Sequence, residues 1–266
     1  MNKRIEGQPK VTIIIPTFNN LKNMRGCIEN VKLVLGADLG KNVLLHIQDG
    51  ESTDGTYDFL NQLRSPHISY GVESDRGVYD AMNRAINKVV TDWVFFLGGD
   101  DRLLPGFVSA IKELHGPNIY YANVRFASDN RRYDGRFTPR KLVFRNICHQ
   151  AMFFPTSALK VRPYSLDYPI NSDWAHNIIL MRYYPFKYLA IDVARFTDTG
   201  GLSSTKNDIA FDTDKGRLFL ENHGYFEFFL CRSAPLLTNL FRLAKKLARY
   251  FKLHLQRTSR KYNTKK

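Results

Sequence analysis

Three clusters within the first hundred or so residues carry side chains able to do chemistry. Gly98-Gly99-Asp100-Asp101 follows the apolar run Trp93–Leu97 directly. Two adjacent carboxylates at the end of a buried strand repel each other unless something neutralises them, and a hard divalent cation would do so. Such an ion could bridge the phosphates of a nucleotide and stabilise charge on a departing diphosphate. A solvated surface turn explains the same residues about as well, since Asp and Gly are common turn formers. The second cluster gathers Glu73, Asp75, Arg76, Gly77, Tyr79, Asp80 and Asn83 around the start of one helix. A helix N-terminus favours anions, and an arginine there suits a diphosphate; ordinary enrichment of acids in a first turn is the plainer account. The third is Asp49-Gly50-Glu51-Ser52-Thr53-Asp54-Gly55-Thr56. Asp49, just after a strand, could accept hydrogen bonds from a base or ribose, and the glycines permit close backbone approach. Equally, Ser52, Thr53 or Asp54 could cap the helix that follows.

These clusters need elements to position them, and the apolar pattern supplies them. Val11–Ile15, Val43–Ile47, Ile68–Tyr70 and Trp93–Leu97 read as strands. Between them lie helices at about 20–35 and 56–63, and one whose apolar face is Val78, Met82, Ala85, Ile86 and Val89. This alternation predicts an α/β fold with a parallel sheet flanked by helices. Sites in such sheets sit at the carboxyl ends of strands, where the polar clusters fall. Beyond Asp101 the periodicity weakens; Ile119–Val124 reads as a further strand and Asn130–Arg140 as a polar, basic loop or hairpin.

The ordered set Pro16-Thr17-Phe18-Asn19, the Asp49–Thr56 turn, Glu73-x-Asp75-x-Gly77-x-Tyr79-Asp80-Ala81-Met82-Asn83 and Asp100-Asp101 resembles the GT-A glycosyltransferases of family 2, of the bacterial polysaccharide, O-antigen and colanic-acid type. The similarity covers about residues 10–105 and continues more weakly through His149-Gln150, Asn171-Ser172-Asp173-Trp174 and Gly200–Ser204. It implies a GT-A fold, a nucleotide-sugar donor (UDP-sugar favoured, GDP-sugar as the alternative) and a divalent metal, Mn²⁺ or Mg²⁺. By resemblance, Thr17 and Asn19 lie along the nucleotide, Asp49 meets the base, Glu73 and Arg76 belong to the donor site, and Asp100 with Asp101 holds the metal. Asp173 falls where the family's general base stands. Gly98 departs from the pattern, because many members carry Asp there. Ser172 likewise replaces the usual acidic neighbour of the base. An inverting transfer needs such a base: the acceptor hydroxyl must lose a proton as it attacks the anomeric carbon opposite the leaving diphosphate. His149 is either a core histidine or a phosphate contact, and Ser203 and Ser204 are candidates to close over the donor.

Composition narrows the rival readings. The chain of 266 residues is 44% hydrophobic and 24% charged, which excludes wholesale disorder. No apolar run reaches the ~18 residues of a membrane span, and Met1–Lys10 lacks the apolar core of a secretory signal. Cys27, Cys148 and Cys231 lie far apart, which favours a reducing, cytoplasmic location. A nicotinamide-binding oxidoreductase would carry GxGxxG after the first strand, where this chain has Pro16-Thr17-Phe18-Asn19-Asn20. A GG[D/E]EF cyclase signature would continue Glu-Phe after Gly-Gly-Asp, where this chain has Asp101-Arg102, and the upstream motifs do not fit it. Nucleic-acid binding is the non-enzyme alternative on charge alone, but the acidic clusters would repel phosphates.

The net charge of +14 is uneven. Residues 1–227 carry a net +3, whereas after Glu227 there are eleven basic residues and no acid. Residues 1–227 are therefore expected to form the catalytic domain, with 1–101 binding the nucleotide-sugar and 102–227 binding a glycan or lipid-linked acceptor. Residues 228–266 read as a basic tail. In it Leu237, Leu240, Phe241, Ala244, Leu247, Phe251 and Leu255 recur at helical spacing opposite a cationic face. That pattern suits peripheral binding to an anionic membrane surface, on the inner face of the cell membrane. The alternative is packing on the body or on a second copy in a homodimer.

Overall fold

The structure, a computed structural model, describes residues 9–198, 207–234, 236, 237 and 245. Ser203, Ser204 and most of the expected tail helix lie outside the described residues.

Strand β1 (Val11–Thr17) is the centre of the first half, pairing in parallel with β2 (Val43–Asp49) and β4 (Trp93–Phe96). Strand β3 (Ile68–Val72) continues in parallel beyond β2. Helices α1 (Leu21–Leu35), α2 (Thr56–Gln62) and α3 (Val78–Lys88) make the crossovers. After the Asp100-Asp101 turn come β5 (Arg102–Leu103), α4 (Gly106–Lys112), β6 (Ile119–Phe126), β7 (Arg132–Tyr133) and α5 (Pro139–Phe144). They are followed by β8 (Met152–Pro155), α6 (Thr156–Val161), α7 (Ser172–Tyr183), β9 (Phe186–Phe196) and α8 (Ile209–His223). The strands form one mixed sheet, in the order β3-β2-β1-β4-β8-β6-β9-β5, with β7 on β6. Strand β8 runs antiparallel between β4 and β6, so the second half is added to the parallel half edge to edge.

Period-two alternation splits the buried side chains between the two faces. Ile13, Ile15, Phe95, Tyr120 and Phe153 pack with α1, α2 and α4 on one face. Ile14, Phe96, Tyr121 and Phe154 pack with α3, α5, α6, α7 and α8 on the other. Helix α1 buries Met24, Cys27, Ile28, Val31 and Leu35, an i, i+3, i+4 stripe matching the sequence expectation. Gly77 precedes α3 at φ +120°, a conformation essentially confined to glycine.

Residues 225–234 are helical, and Leu230, Cys231 and Ala234 pack against the second core cluster. The boundary expected at 227/228 therefore falls inside a helix that belongs to the body. Tyr225, Phe226, Phe229, Leu236 and Leu237 remain exposed.

Candidate active site

Because β1, β2 and β4 are parallel, their carboxyl ends deliver Thr17, Asp49 and the Gly98–Asp101 turn to one edge of the sheet. There a cleft of about 610 Å³ opens between the two halves, lined among others by Thr17, Phe18, Asp100, Asn146, His149 and Asp173. A second cleft of about 390 Å³ adjoins it through Phe18 and is lined by Gly50, Glu51, Ser74, Asp75 and Gly77. All three clusters picked out by chemistry, and the α7 carboxylate far along the chain, thus contribute to the first cleft or its extension.

At the Gly98–Asp101 turn the two aspartates part ways. Asp100 faces the cleft. Asp101 is 1% exposed. Its Oδ1 accepts from Thr197 N (2.8 Å), and its Oδ2 accepts from Gln150 Nε2 (2.8 Å) and Gly98 N (3.1 Å). Burial pushes its carboxyl up to about 7. The expectation that Asp101 shares a metal with Asp100 is corrected: its oxygens are spent on closing the turn and tying it to the second half. The same geometry accounts for Gly98, since a Cβ there would sit 2.5 Å from Asp101 Oδ2. Among the described residues, no three His, Cys, Asp or Glu side chains group to hold a metal ion. Besides Asp173, the first cleft offers the carboxylate of Asp100 and the buried Thr17 hydroxyl, which has no protein partner. That donor set fits a hard cation completed by substrate phosphates and water, not an all-protein cage.

The β1–α1 and β2–α2 loops are laced together. Asn19, at φ +48°, donates its N–H to Ser52 Oγ (2.7 Å), and its Oδ1 accepts from Thr53 N (2.8 Å). Asp54 accepts from Leu21 N (2.8 Å) at the start of α1 and from the Thr56 hydroxyl (2.6 Å) at the start of α2. Of the residues expected to cap a helix, Asp54 serves the starts of α1 and α2, while Ser52 and Thr53 tie the two loops together. Asp49, expected to meet the base, is fully buried and accepts from Ser52 N (2.9 Å) and Ser52 Oγ (2.5 Å). It shapes the turn, and Gly50 and Glu51 of that turn line the second cleft. Glu73 pairs with Arg84 (3.1 Å) and Lys88, away from both clefts. Arg76 is exposed and leans on Asp80 (3.7 Å) without lining either cleft. Asp75, quoted in the motif but given no role by sequence, does reach the second cleft, and desolvation raises its carboxyl.

Across the first cleft, Asp173 opens α7 beside Trp174. Its Oδ1 accepts from Tyr79 Oη (2.8 Å) and Trp174 N (2.9 Å), and its Oδ2 accepts from Asn146 Nδ2 (2.7 Å). Burial holds this carboxyl at about 6, against an ordinary 3.8. The opposed carboxylates Asp100 and Asp173 therefore differ in setting, one at the mouth of a turn and one cradled by donors. His149 stacks on Phe96 at 4.8 Å and bonds Tyr164 Oη through Nε2 (2.8 Å). Desolvation lowers its imidazole to about 3, so it is a neutral, partnered wall residue. Sequence reasoning missed Gln150, Asn146, Tyr79 and Thr197 as functional supports. Only Tyr79 and Gln150 carried a signal, being inside the motifs quoted.

A mixed, mostly parallel sheet flanked by helices, with a cleft at its carboxyl edge, is the GT-A architecture of sugar transferases. Residues 12–182 match Glycosyl transferase family 2, and the chain belongs to that family. It is 34% identical over 216 residues to the PGL/p-HBAD biosynthesis glycosyltransferases of Mycobacterium tuberculosis and Mycobacterium bovis, covering 76% of this chain and 82% of theirs. Among solved structures it resembles Staphylococcus aureus TarS 1-349 in complex with UDP-GlcNAc (TM-score 0.61, 14% identity, 80% of this chain and 67% of that one). It also resembles the mannosyltransferase PcManGT of Pyrobaculum calidifontis in complex with GDP-Man and Mn²⁺ (TM-score 0.56, 16% identity, 89% and 81%). The protein is a glycosyltransferase.

Proposed function

We propose that the chain is an inverting, metal-dependent transferase that moves a sugar from a nucleotide-sugar donor to a hydroxyl of a glycan or lipid-linked acceptor in envelope polysaccharide assembly. The observation that carries this reading is the pairing of Asp100 and Asp173 on opposite halves of one cleft. Phe18, at the junction of the two clefts and 61% exposed, offers an apolar face to a nucleotide base entering beside Gly50 and Asp75. The neighbours bound to UDP-GlcNAc and to GDP-Man with Mn²⁺ support a nucleotide-sugar donor.

In this reading Asp100 holds the donor's divalent cation, which when bound stabilises charge on the departing diphosphate. Thr17, its hydroxyl otherwise unpartnered, takes a donor oxygen. Asp173 accepts the proton of the acceptor hydroxyl as the new C–O bond forms, and the anomeric C–O bond to the diphosphate breaks on the opposite side. A carboxyl raised to about 6 remains ionised at neutral pH yet is a stronger base than an ordinary aspartate. The donors around it supply the cost of keeping that charge in a partly buried site. A transfer assay over UDP- and GDP-sugars with Mn²⁺ or Mg²⁺ tests this, with EDTA expected to abolish turnover and product of inverted anomeric configuration expected by NMR. Full activity in EDTA, or retained configuration, would contradict it.

The same proposal places the protein peripherally on a membrane, at its cytoplasmic face. No helix of the described residues is long and apolar enough to cross a bilayer. Support comes from the exposed Tyr225, Phe226, Phe229 and Leu236, which precede a stretch with eleven basic residues and no acid.

A further inference from the structure

The motif Tyr79-Asp80-Ala81-Met82-Asn83 lies on α3, in the donor half, yet its polar side chains do three different things. Asp80 accepts from Arg76 N (3.1 Å), closing the loop before the helix. Asn83 clamps the backbone of Tyr164, donating to its carbonyl (2.9 Å) and accepting from its N–H (2.9 Å). Tyr79 reaches furthest. Its hydroxyl lies 2.7 Å from the Ile170 carbonyl and 2.8 Å from Asp173 Oδ1. A phenol has one proton and cannot donate fully to two acceptors. With Asp173 ionised, the proton turns to the carboxylate. With Asp173 protonated, it turns to the Ile170 carbonyl and the phenol oxygen accepts from the carboxyl. Both states are accommodated by rotation about one bond, and Tyr79 keeps its own proton throughout; burial and the neighbouring Asp173 raise that phenol well above its ordinary range.

The other oxygen is fixed by a second device. Asn146 Nδ2 donates to Asp173 Oδ2, while Asn146 Oδ1 accepts from Asn177 Nδ2 (2.9 Å). The flipped amide would set an oxygen against the ionised Asp173 carboxylate, and Asn177, whose own Oδ1 has no partner, supports the orientation seen. We infer that Tyr79 and Asn146 are positioning residues for the Asp173 carboxylate, Tyr79 by switching one proton between Asp173 and Ile170, and Asn146 by a side-chain donor that Asn177 supports from behind. The inference rests on the reading of Asp173 as the base, and extends it: the helix that frames the donor also holds the group that deprotonates the acceptor.

The titratable groups electrically close to Asp173 are Tyr79 on α3, Tyr164 after α6 and Cys148 before β8. All three are raised by burial and remain neutral at working pH. Lys215 of α8 lies 3.7 Å over the Trp174 ring, beside the site. The test is a pH titration of ¹³C-labelled aspartate in the full chain by NMR, with the Asp173 resonance assigned from its loss in Asp173→Asn. The wild-type midpoint is expected near 6. Tyr79→Phe and Asn146→Leu should each raise it by about one unit, because two to three hydrogen bonds can lower a carboxylate by about two. Unmoved midpoints in folded variants would overturn the inference, and if one variant does not fold the other decides. Turnover of UDP- and GDP-sugars by Asp173→Asn separates the two levels. Undiminished turnover removes Asp173 as the base, whereas the titration alone judges the cradle.

Discussion

At the scale of single residues, the two adjacent aspartates show how environment divides labour between identical side chains. Asp101 is buried and accepts from three donors, so Asp101→Ala should cost about 2–4 kcal/mol by leaving those donors unpaired. Asp100→Ala should change stability by no more than about 0.5 kcal/mol, yet abolish transfer. Urea melts of both variants beside an activity assay check the pair; equal effects on stability would contradict the division. For Asp173, the folded carboxyl titrates near 6 and the unfolded one near 3.8. Between those values the folded state holds a proton that the unfolded chain has released. Its contribution to stability is therefore complete below about pH 4 and is lost as pH rises through 6. Asp173→Asn cannot titrate. The stability of wild type minus that of the variant should fall by up to about 3 kcal/mol between pH 4 and 7. His149 and His176, neutral through burial, titrate alike in both proteins and cancel. In activity, the same variant should lose at least ~10² in kcat.

At the scale of elements, the first half was legible because strands and helices there keep clean periods. Every strand and helix expected before Asp101 is present within a few residues of its expected bounds. In the second half only β6, expected over Ile119–Val124, was legible as a strand, and the rest was not, for a physical reason. Strand β9 is mostly half-buried and has register shifts against β6, so its side chains do not alternate cleanly. Helix α7 buries Ser172, His176 and Asn177 alongside its apolar residues, so no apolar stripe marks it. Helices α5 and α6 span six residues each, too few for a period to show. The site followed the same division: Asp100 and Asp173, which line the cleft, were picked out from motifs, while Asn146, held by contacts 27 and 31 residues away in the chain, left no local signal. Glu73 and Arg76, expected at the donor site, line neither cleft and pair instead with Arg84, Lys88 and Asp80, while Asp75 and Tyr79 of the same motif do line the clefts. One close approach is decisive here. A Cβ at Gly106 would sit 2.3 Å from the Asp192 carbonyl of β9, so Gly106→Ala should force α4 off the sheet. A loss of about 2–3 kcal/mol is expected on thermal or urea unfolding, and an unchanged midpoint would show that the helix can shift freely.

At the scale of the whole molecule, two halves close over one cleft, and the C-terminal segment starts as part of the body before its basicity takes over. Truncation after Glu227 should destabilise the protein, because Leu230, Cys231 and Ala234 leave the core. Truncation after Leu237 should reduce sedimentation with anionic liposomes. Undiminished liposome binding by that shorter form would reject the membrane reading. The central claim is that donor and acceptor chemistry meet between Asp100 and Asp173, and thermal shift with a UDP- and GDP-sugar panel plus Mn²⁺, paired with turnover of the stabilising sugar, tests it most directly. A metal-dependent rise in melting temperature is expected for wild type and Asp173→Asn, none for Asp100→Ala, and turnover for wild type alone. A full metal-dependent shift in Asp100→Ala, or near-normal turnover in Asp173→Asn, would contradict it.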